Sequence, residues 1–235
     1  DLQTTVGHAG LRLAVRYGHT EIARLLLEAG ANKNLQGNTG VTALMGAAES
    51  GHKEITQLLL QAGAAVDMRD KDGRTALMFA AADGHVHIAK LLLESGTNKD
   101  FQDSLGYTAL IHAERRGNFE TARLLAEAGA DKDLQGSTSV TALMGAAKSG
   151  QEDMVQLILQ AGAAVDMRDN DSYTALMHAA RHGHVGVARL LLQAGADKDA
   201  QDQFGVTPFG HAVSNGHGEI AQLLRAKTRR IIAAD

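Results

Sequence analysis

The sequence predicts an all-α repeat protein, and three observations carry that prediction. One tripeptide recurs every 33 residues, at Thr42-Ala43-Leu44, Thr75-Ala76-Leu77, Thr108-Ala109-Leu110, Thr141-Ala142-Leu143, Thr174-Ala175-Leu176 and Thr207-Pro208-Phe209, with a degenerate first copy at Ala9-Gly10-Leu11. Gly18, Gly51, Gly84, Gly117, Gly150, Gly183 and Gly216 keep the same pitch. Seven to nine residues after each glycine comes an aliphatic run such as Leu58-Leu59-Leu60. Self-similarity at this period marks stacked supersecondary units, because one unit of this size cannot bury its own apolar face. Seven units follow, at about 5–37, 38–70, 71–103, 104–136, 137–169, 170–202 and 203–235, forming one repeat domain.

The third unit shows how each element arises. Asp70-Lys71-Asp72-Gly73 is a turn signal, in which aspartate supplies side-chain acceptors and glycine a permissive backbone. Thr75 then suits the N-cap of a short helix over residues 76–82, its hydroxyl placed to accept a free amide of the first turn. That helix is rich in alanine, so neighbours approach closely, and Gly84 stops it. A second helix begins near His85 and places Ile88, Leu91 and Leu92 at i, i+3 and i+4, the spacing of one buried stripe. Gly96 ends it as a left-handed C-cap.

A longer period overlies the short one. The segment Gln61 to Asp70 recurs without change at Gln160 to Asp169, 99 residues on, as duplication of a three-unit block produces.

Composition narrows the function. A formal charge of −4 lacks the basic signature of duplex-binding domains, so nucleic acid is a poor partner. Without cysteine there is neither a disulfide framework nor a thiolate metal site, which fits an intracellular, cytoplasmic setting, with the nucleus as an alternative. The aliphatic runs are three or four residues long, too short to span a membrane. Asp1-Leu2-Gln3 is in register with Asp133-Leu134-Gln135, so the chain is expected to start inside a loop of the repeat.

The full cassette, turn, Thr-x-Leu helix, Gly-His, Leu-Leu-Leu and Gly-Ala-Asp, resembles the ankyrin repeat over residues 5–228. The resemblance implies an all-α ankyrin-repeat solenoid of seven helix–turn–helix units with projecting loops or hairpins. It also implies a non-enzymatic scaffold that binds a partner protein or peptide on its concave face. The chain departs from the family pattern where Met45, Met78, Met144 and Met177 replace a histidine and alanine replaces a proline five times. Methionine is expected to fill the gap by packing alone.

No catalytic constellation is found: there is no phosphate-binding glycine loop, no Gly-x-Ser-x-Gly elbow and no His-Glu-x-x-His helix. No cofactor is implied. Of the eleven histidines, His19, His52, His85, His184 and His217 occupy one repeat position after the inter-helix glycine, where a structural role is expected. Being spread along a stack, they cannot converge on one metal. His112, His178 and His211 share a different position, in the first helix, and are expected to be contact residues.

Carried over from the family repeat by repeat, the binding positions fall on loop tips and first helices. They include Thr5, Val6, His8, Arg16, Thr39, Val41, Glu49 and Ser50 at the N-terminal end. The candidate partner-binding residues are Tyr17, Arg74, Phe79, Tyr107, His112, Arg115, Arg116, Tyr173, His178, Arg181 and Phe204. All three tyrosines of the chain are among them, and Tyr and Arg are common interface hot spots. Seven cations against four carboxylates at the implied positions make this face basic on an acidic protein, which suits an acidic or phosphorylated partner. The bland alternative, arginines that only solubilise the groove, stays open. One extended segment of roughly six to eight residues is expected to reach from the Tyr107 group to the Tyr173 group.

Two other functional readings stay open: a targeting arm of a larger enzyme or secreted effector, and an engineered array without a natural partner. The fourth unit is expected to be the weakest, since Glu114 replaces a packed alanine and Ala126 breaks its aliphatic run. The basic run Arg225 to Arg230 is expected to cap the array as a monomer, with a nuclear-import signal as a weaker alternative and Ile231 to Asp235 loosely ordered.

Overall fold

The computed structural model describes residues 10–225, and the secondary structure within them is helical. The chain divides into two compact units, Asp1–Ala130 and Asp131–Asp235. The first holds α1 (residues 10–16), α2 (Thr20–Glu28), α3 (Ala43–Ser50), α4 (Lys53–Gln61), α5 (Ala76–Ala82), α6 (Val86–Glu94), α7 (Ala109–Arg115) and α8 (Phe119–Glu127). The second holds α9 (Ala142–Ser149), α10 (Glu152–Gln160), α11 (Ala175–His182), α12 (Val185–Gln193), α13 (Pro208–Ser214) and α14 (Gly218–Arg225).

From the second repeat on, each first helix starts where the threonine predicts. Thr42, Thr75, Thr108, Thr141, Thr174 and Thr207 adopt extended backbone and accept the amide three residues on, as from Met45 and Met177 at 3.3 Å. The methionines do more than pack. In α3, α5 and α11 the sulfur accepts the backbone N–H of the capping threonine at 3.4 to 3.5 Å, closing a capping box with a weak acceptor. The substitution of histidine by methionine therefore keeps a polar contact that packing alone would have lost.

In the first compact unit α3 packs on α5 and α5 on α7, while α2, α4, α6 and α8 form a second layer, each touching the next. The helix pairs α3–α4, α5–α6 and α7–α8 join the layers. In the second compact unit α9, α11 and α13 stack the same way against α10, α12 and α14. Alanines such as Ala47, Ala80, Ala113, Ala146 and Ala179 are fully buried, letting these backbones approach. The stripe of α6 differs from the expected one: Ile88, Ala89 and Leu92 are buried and Leu91 is half-buried. A nine-residue helix turns its apolar arc toward both its partner and its neighbours, so the position after Ile88 enters the core.

Of the histidines after the inter-helix glycine, His85, His184 and His217 join successive repeats, whereas His52 Nε2 is buried without a hydrogen-bond partner. His85 Nε2 lies 3.1 Å from the Glu49 carbonyl, and His184 and His217 reach Lys148 and Arg181 carbonyls at 3.0 and 3.1 Å. Asn118 fills the same position and donates to the Ala81 and Ala82 carbonyls. These contacts satisfy carbonyls at the end of the preceding first helix, which have no partner within it. The rings lie against Gly51, Gly150 and Gly183, where a Cβ would stand 2.5 to 2.7 Å from them; left-handed φ at each adds a second reason for glycine.

Glu114, on α7, is 2% exposed, and burial drives its carboxyl up to about 8 against the opposing pull of Arg115. A group that stays protonated at neutral pH takes the place of a packed alanine.

Candidate interaction surface

The loops before the first helices of the third, fourth, sixth and seventh repeats are each built on one aspartate, Asp70, Asp103, Asp169 or Asp202. Asp103 Oδ1 accepts the amides of Leu105 and Tyr107 at 2.9 Å, and Asp169 and Asp202 hold Tyr173 and Val206 in the same way. The other carboxylate oxygen takes a histidine from the helix that follows. His112 Nε2 lies 2.8 Å from Asp103 Oδ2, and His178 and His211 lie 2.9 Å from Asp169 and Asp202. These three histidines, expected as contact residues, are instead turned inward as pins between loop and helix. Burial lowers the pKa of His112 and His178, outweighing the aspartate beside each, so both imidazoles are largely neutral at pH 7.

Where the histidine is absent, the aspartate is served differently. In the third repeat Phe79 stands at the histidine position, and Arg74 pairs with Asp70 at 2.9 Å and with Asp72 at 3.3 Å. Arg74 also lies over the Phe79 ring, 4.5 Å from its centroid. Phe79 is only 6% exposed, so its part is to hold this arginine, and it is corrected from contact residue to platform. In the second repeat both positions are glycine, Gly37 and Gly46.

In the first compact unit Arg74, Tyr107, His112, Arg115 and Arg116 line one cleft of about 630 Å³. Arg115 lies over the Tyr107 ring at 4.7 Å. Asp72 and Asp103 share the lining, and Arg115 acts on the buried Glu114, but neither Arg115 nor Arg116 makes an ion pair with a carboxylate among the described residues, in contrast to Arg74. A second cleft of about 580 Å³ is lined by Leu13, Val15, Arg16, Val41, Gly46 and Glu49 among others. Tyr17, 63% exposed, lies outside both linings. Leu13 and Gly46 escaped the sequence reading. One lies in the degenerate first copy, and the other makes room by lacking a side chain.

In the second compact unit Tyr173 gathers His178, His211 and Arg181. The ring centroids of the histidines are 5.4 and 4.8 Å from Tyr173, and Arg181 donates to its hydroxyl at 3.0 Å. Phe204 stands on the next loop, 78% exposed. Thr5, Val6 and His8, and the terminal run beyond Arg225, lie outside the described residues. Arg225 itself stacks over Phe209 at 4.8 Å. Among the described residues no helix is long and apolar enough to cross a membrane, and no group of histidines and carboxylates is placed to hold a metal.

Capped helix pairs with pinned loops, presenting aromatic and arginine side chains at fixed repeat positions, define a protein of the helical-repeat class. The ankyrin-repeat family model matches residues 1–70, 57–136 and 143–235, and the chain belongs to that family. Its members are in general non-enzymatic protein-interaction modules. No match is found among curated proteins.

Proposed function

We propose that the chain is a monomeric, non-enzymatic scaffold of seven ankyrin repeats that binds a partner protein or peptide on the face made by its loop tips and first helices. The partner is acidic or phosphorylated. The observation that carries this reading is the Arg-over-Tyr pair, present as Arg115 on Tyr107 and again as Arg181 on Tyr173. Each pair lies on a loop and helix that an aspartate–histidine pin already holds rigid, so little side-chain entropy is lost on binding. An aromatic platform that orients a guanidinium suits recognition of carboxylate or phosphate oxygens.

A phage-displayed peptide library selected on the full chain tests this. Selected ligands should lose affinity when Arg115, Arg116 and Arg181 become alanine, by about 1.5–3 kcal/mol per well-made charged hydrogen bond. Replacing Lys90 and Arg123, on the second helices, should leave binding unchanged. The reverse pattern would place the interaction on the second-helix face and reject the assignment.

A further inference from the structure

We propose that the two clefts of the Asp1–Ala130 unit form one bipartite site for an extended phosphopeptide. An aliphatic or aromatic side chain enters the cleft over Gly46, and a phosphomonoester about five or six residues away meets Arg115 and Arg116. The inference rests on the interaction reading above and narrows it to a ligand class and a spacing.

The two clefts are built from the same repeat positions. Thr39 and Leu105, Val41 and Tyr107, Glu49 and Arg115, and Ser50 and Arg116 are each 66 residues apart, and each cleft is lined by one member of every pair. The clefts thus share a register two repeats apart, with α3 against α5 and α5 against α7 between them. Packed helices lie about 8–10 Å apart, which puts the clefts about 16–20 Å from one another. An extended chain advances about 3.3 Å per residue and covers that distance in about five or six residues.

Both clefts carry arginines and carboxylates, and they differ in the apolar surface at their floors. The first cleft has an aliphatic floor, with Leu13 53% exposed beside Val15 and Val41, and a charged rim of Arg12, Arg16 and Glu49. It is open because Gly46 stands where Phe79 and His112 stand in later repeats. A Cβ built on Gly46 would lie 3.7 Å from Val15 Cγ1, an ordinary contact, so a larger side chain there fills the cleft without straining the helix.

The second cleft is lined by three arginines against the carboxylates of Asp72 and Asp103. Arg74 is paired with Asp70 and Asp72, and Asp103 is turned to His112, while the adjacent Arg115 and Arg116 make no ion pair with a carboxylate among the described residues. A carboxylate matches one of these charges. A phosphomonoester, with about −1.5 to −2 charge at pH 7 and three acceptor oxygens, matches both.

The test uses the full chain and three degenerate peptide pools with a central phosphoserine, serine or glutamate. The phosphoserine pool should be retained in preference to the other two, with Leu, Ile, Met or Phe enriched about five or six residues from the phosphate on one side. Arg115→Ala with Arg116→Ala should weaken phosphopeptide binding about tenfold or more. Gly46→Phe should keep the phosphate dependence and lose the apolar enrichment, and both variants should melt with the parent chain. Equal retention of the serine pool, or of the glutamate pool, overturns the phosphate assignment and leaves the scaffold reading standing. Phosphate dependence without a positional apolar preference overturns the bipartite site. Retention of no pool, together with no ligand from the display selection, removes both.

Discussion

His178 Nε2 lies 2.9 Å from Asp169 Oδ2, while Asp169 Oδ1 accepts the amides of Asp171 and Tyr173. One carboxylate therefore fixes both the loop and its angle to α11. The position of Tyr173, and through it of Arg181, depends on this pair.

Breaking the pin should cost stability. His178→Ala and His211→Ala each remove a buried hydrogen bond to a carboxylate, for an expected loss of about 1.5–3 kcal/mol. Urea denaturation measures it directly. A loss within about 0.5 kcal/mol, as for an exposed residue, would contradict the structural role.

Glu114 should make the chain less stable as pH rises. Its folded pKa of about 8 stands above the ordinary 4.5, so the folded state holds a proton that the unfolded state has released. Its contribution is whole below pH 4.5 and declines up to about pH 8. At about 1.4 kcal/mol per pKa unit, the decline is on the order of 4 to 5 kcal/mol. Glu114→Gln should flatten the slope in urea titrations. Amide exchange at pH 8 should show residues 105–130 opening before α5–α6 or α11–α12, and uniform protection would argue against a weak point here.

The histidine pins tilt the pH dependence the other way. Burial holds His112 and His178 below the ordinary 6.5, so the unfolded chain takes up protons first on acidification. Stability from these groups is complete above pH 6.5 and is lost as pH falls through the folded values. The effect is best measured in a Glu114→Gln background, where the opposing slope is gone. Replacing both histidines should then reduce the loss between pH 6.5 and 5, and an unchanged profile would assign the slope to other groups.

Ser172 offers a stabilising substitution. It has φ of 63°, in the loop position that glycine fills at Gly40, Gly73, Gly106 and Gly205. A left-handed backbone costs an L-residue roughly 1–2 kcal/mol, part of which glycine returns through its freer unfolded chain. Ser172→Gly should gain about 0.5–1 kcal/mol in thermal or urea unfolding. Ser139, also left-handed, bonds Asn170 through its hydroxyl, so the same change there should gain less.

Much of the fold was legible because local chemistry set it. Thr75 caps, Gly84 and Gly96 take left-handed backbone, and the helices fall where the cassette places them. The candidate surface was legible only in part. Its aromatic and arginine residues follow from repeat position, but the inward turn of His112, His178 and His211 does not. A signal for that turn was present: aspartate stands nine residues before each histidine, and glycine stands at both positions in the second and fifth repeats, at Gly37 with Gly46 and Gly136 with Gly145.

The sequence by itself determined the all-α class, the helix starts and stops, and the family, because caps, glycines and apolar spacing act within a few residues of one another. Only the tertiary structure decided which side chains stay free. Whether Arg74 is spent on Asp70 while Arg115 and Arg116 make no ion pair depends on which neighbour fills the space beside each loop, and packing between helices sets that neighbour. The same holds for Phe79, aromatic in sequence but buried beneath an arginine, and for Gly46, whose missing side chain becomes a cleft only once Leu13 and Val41 stand around it.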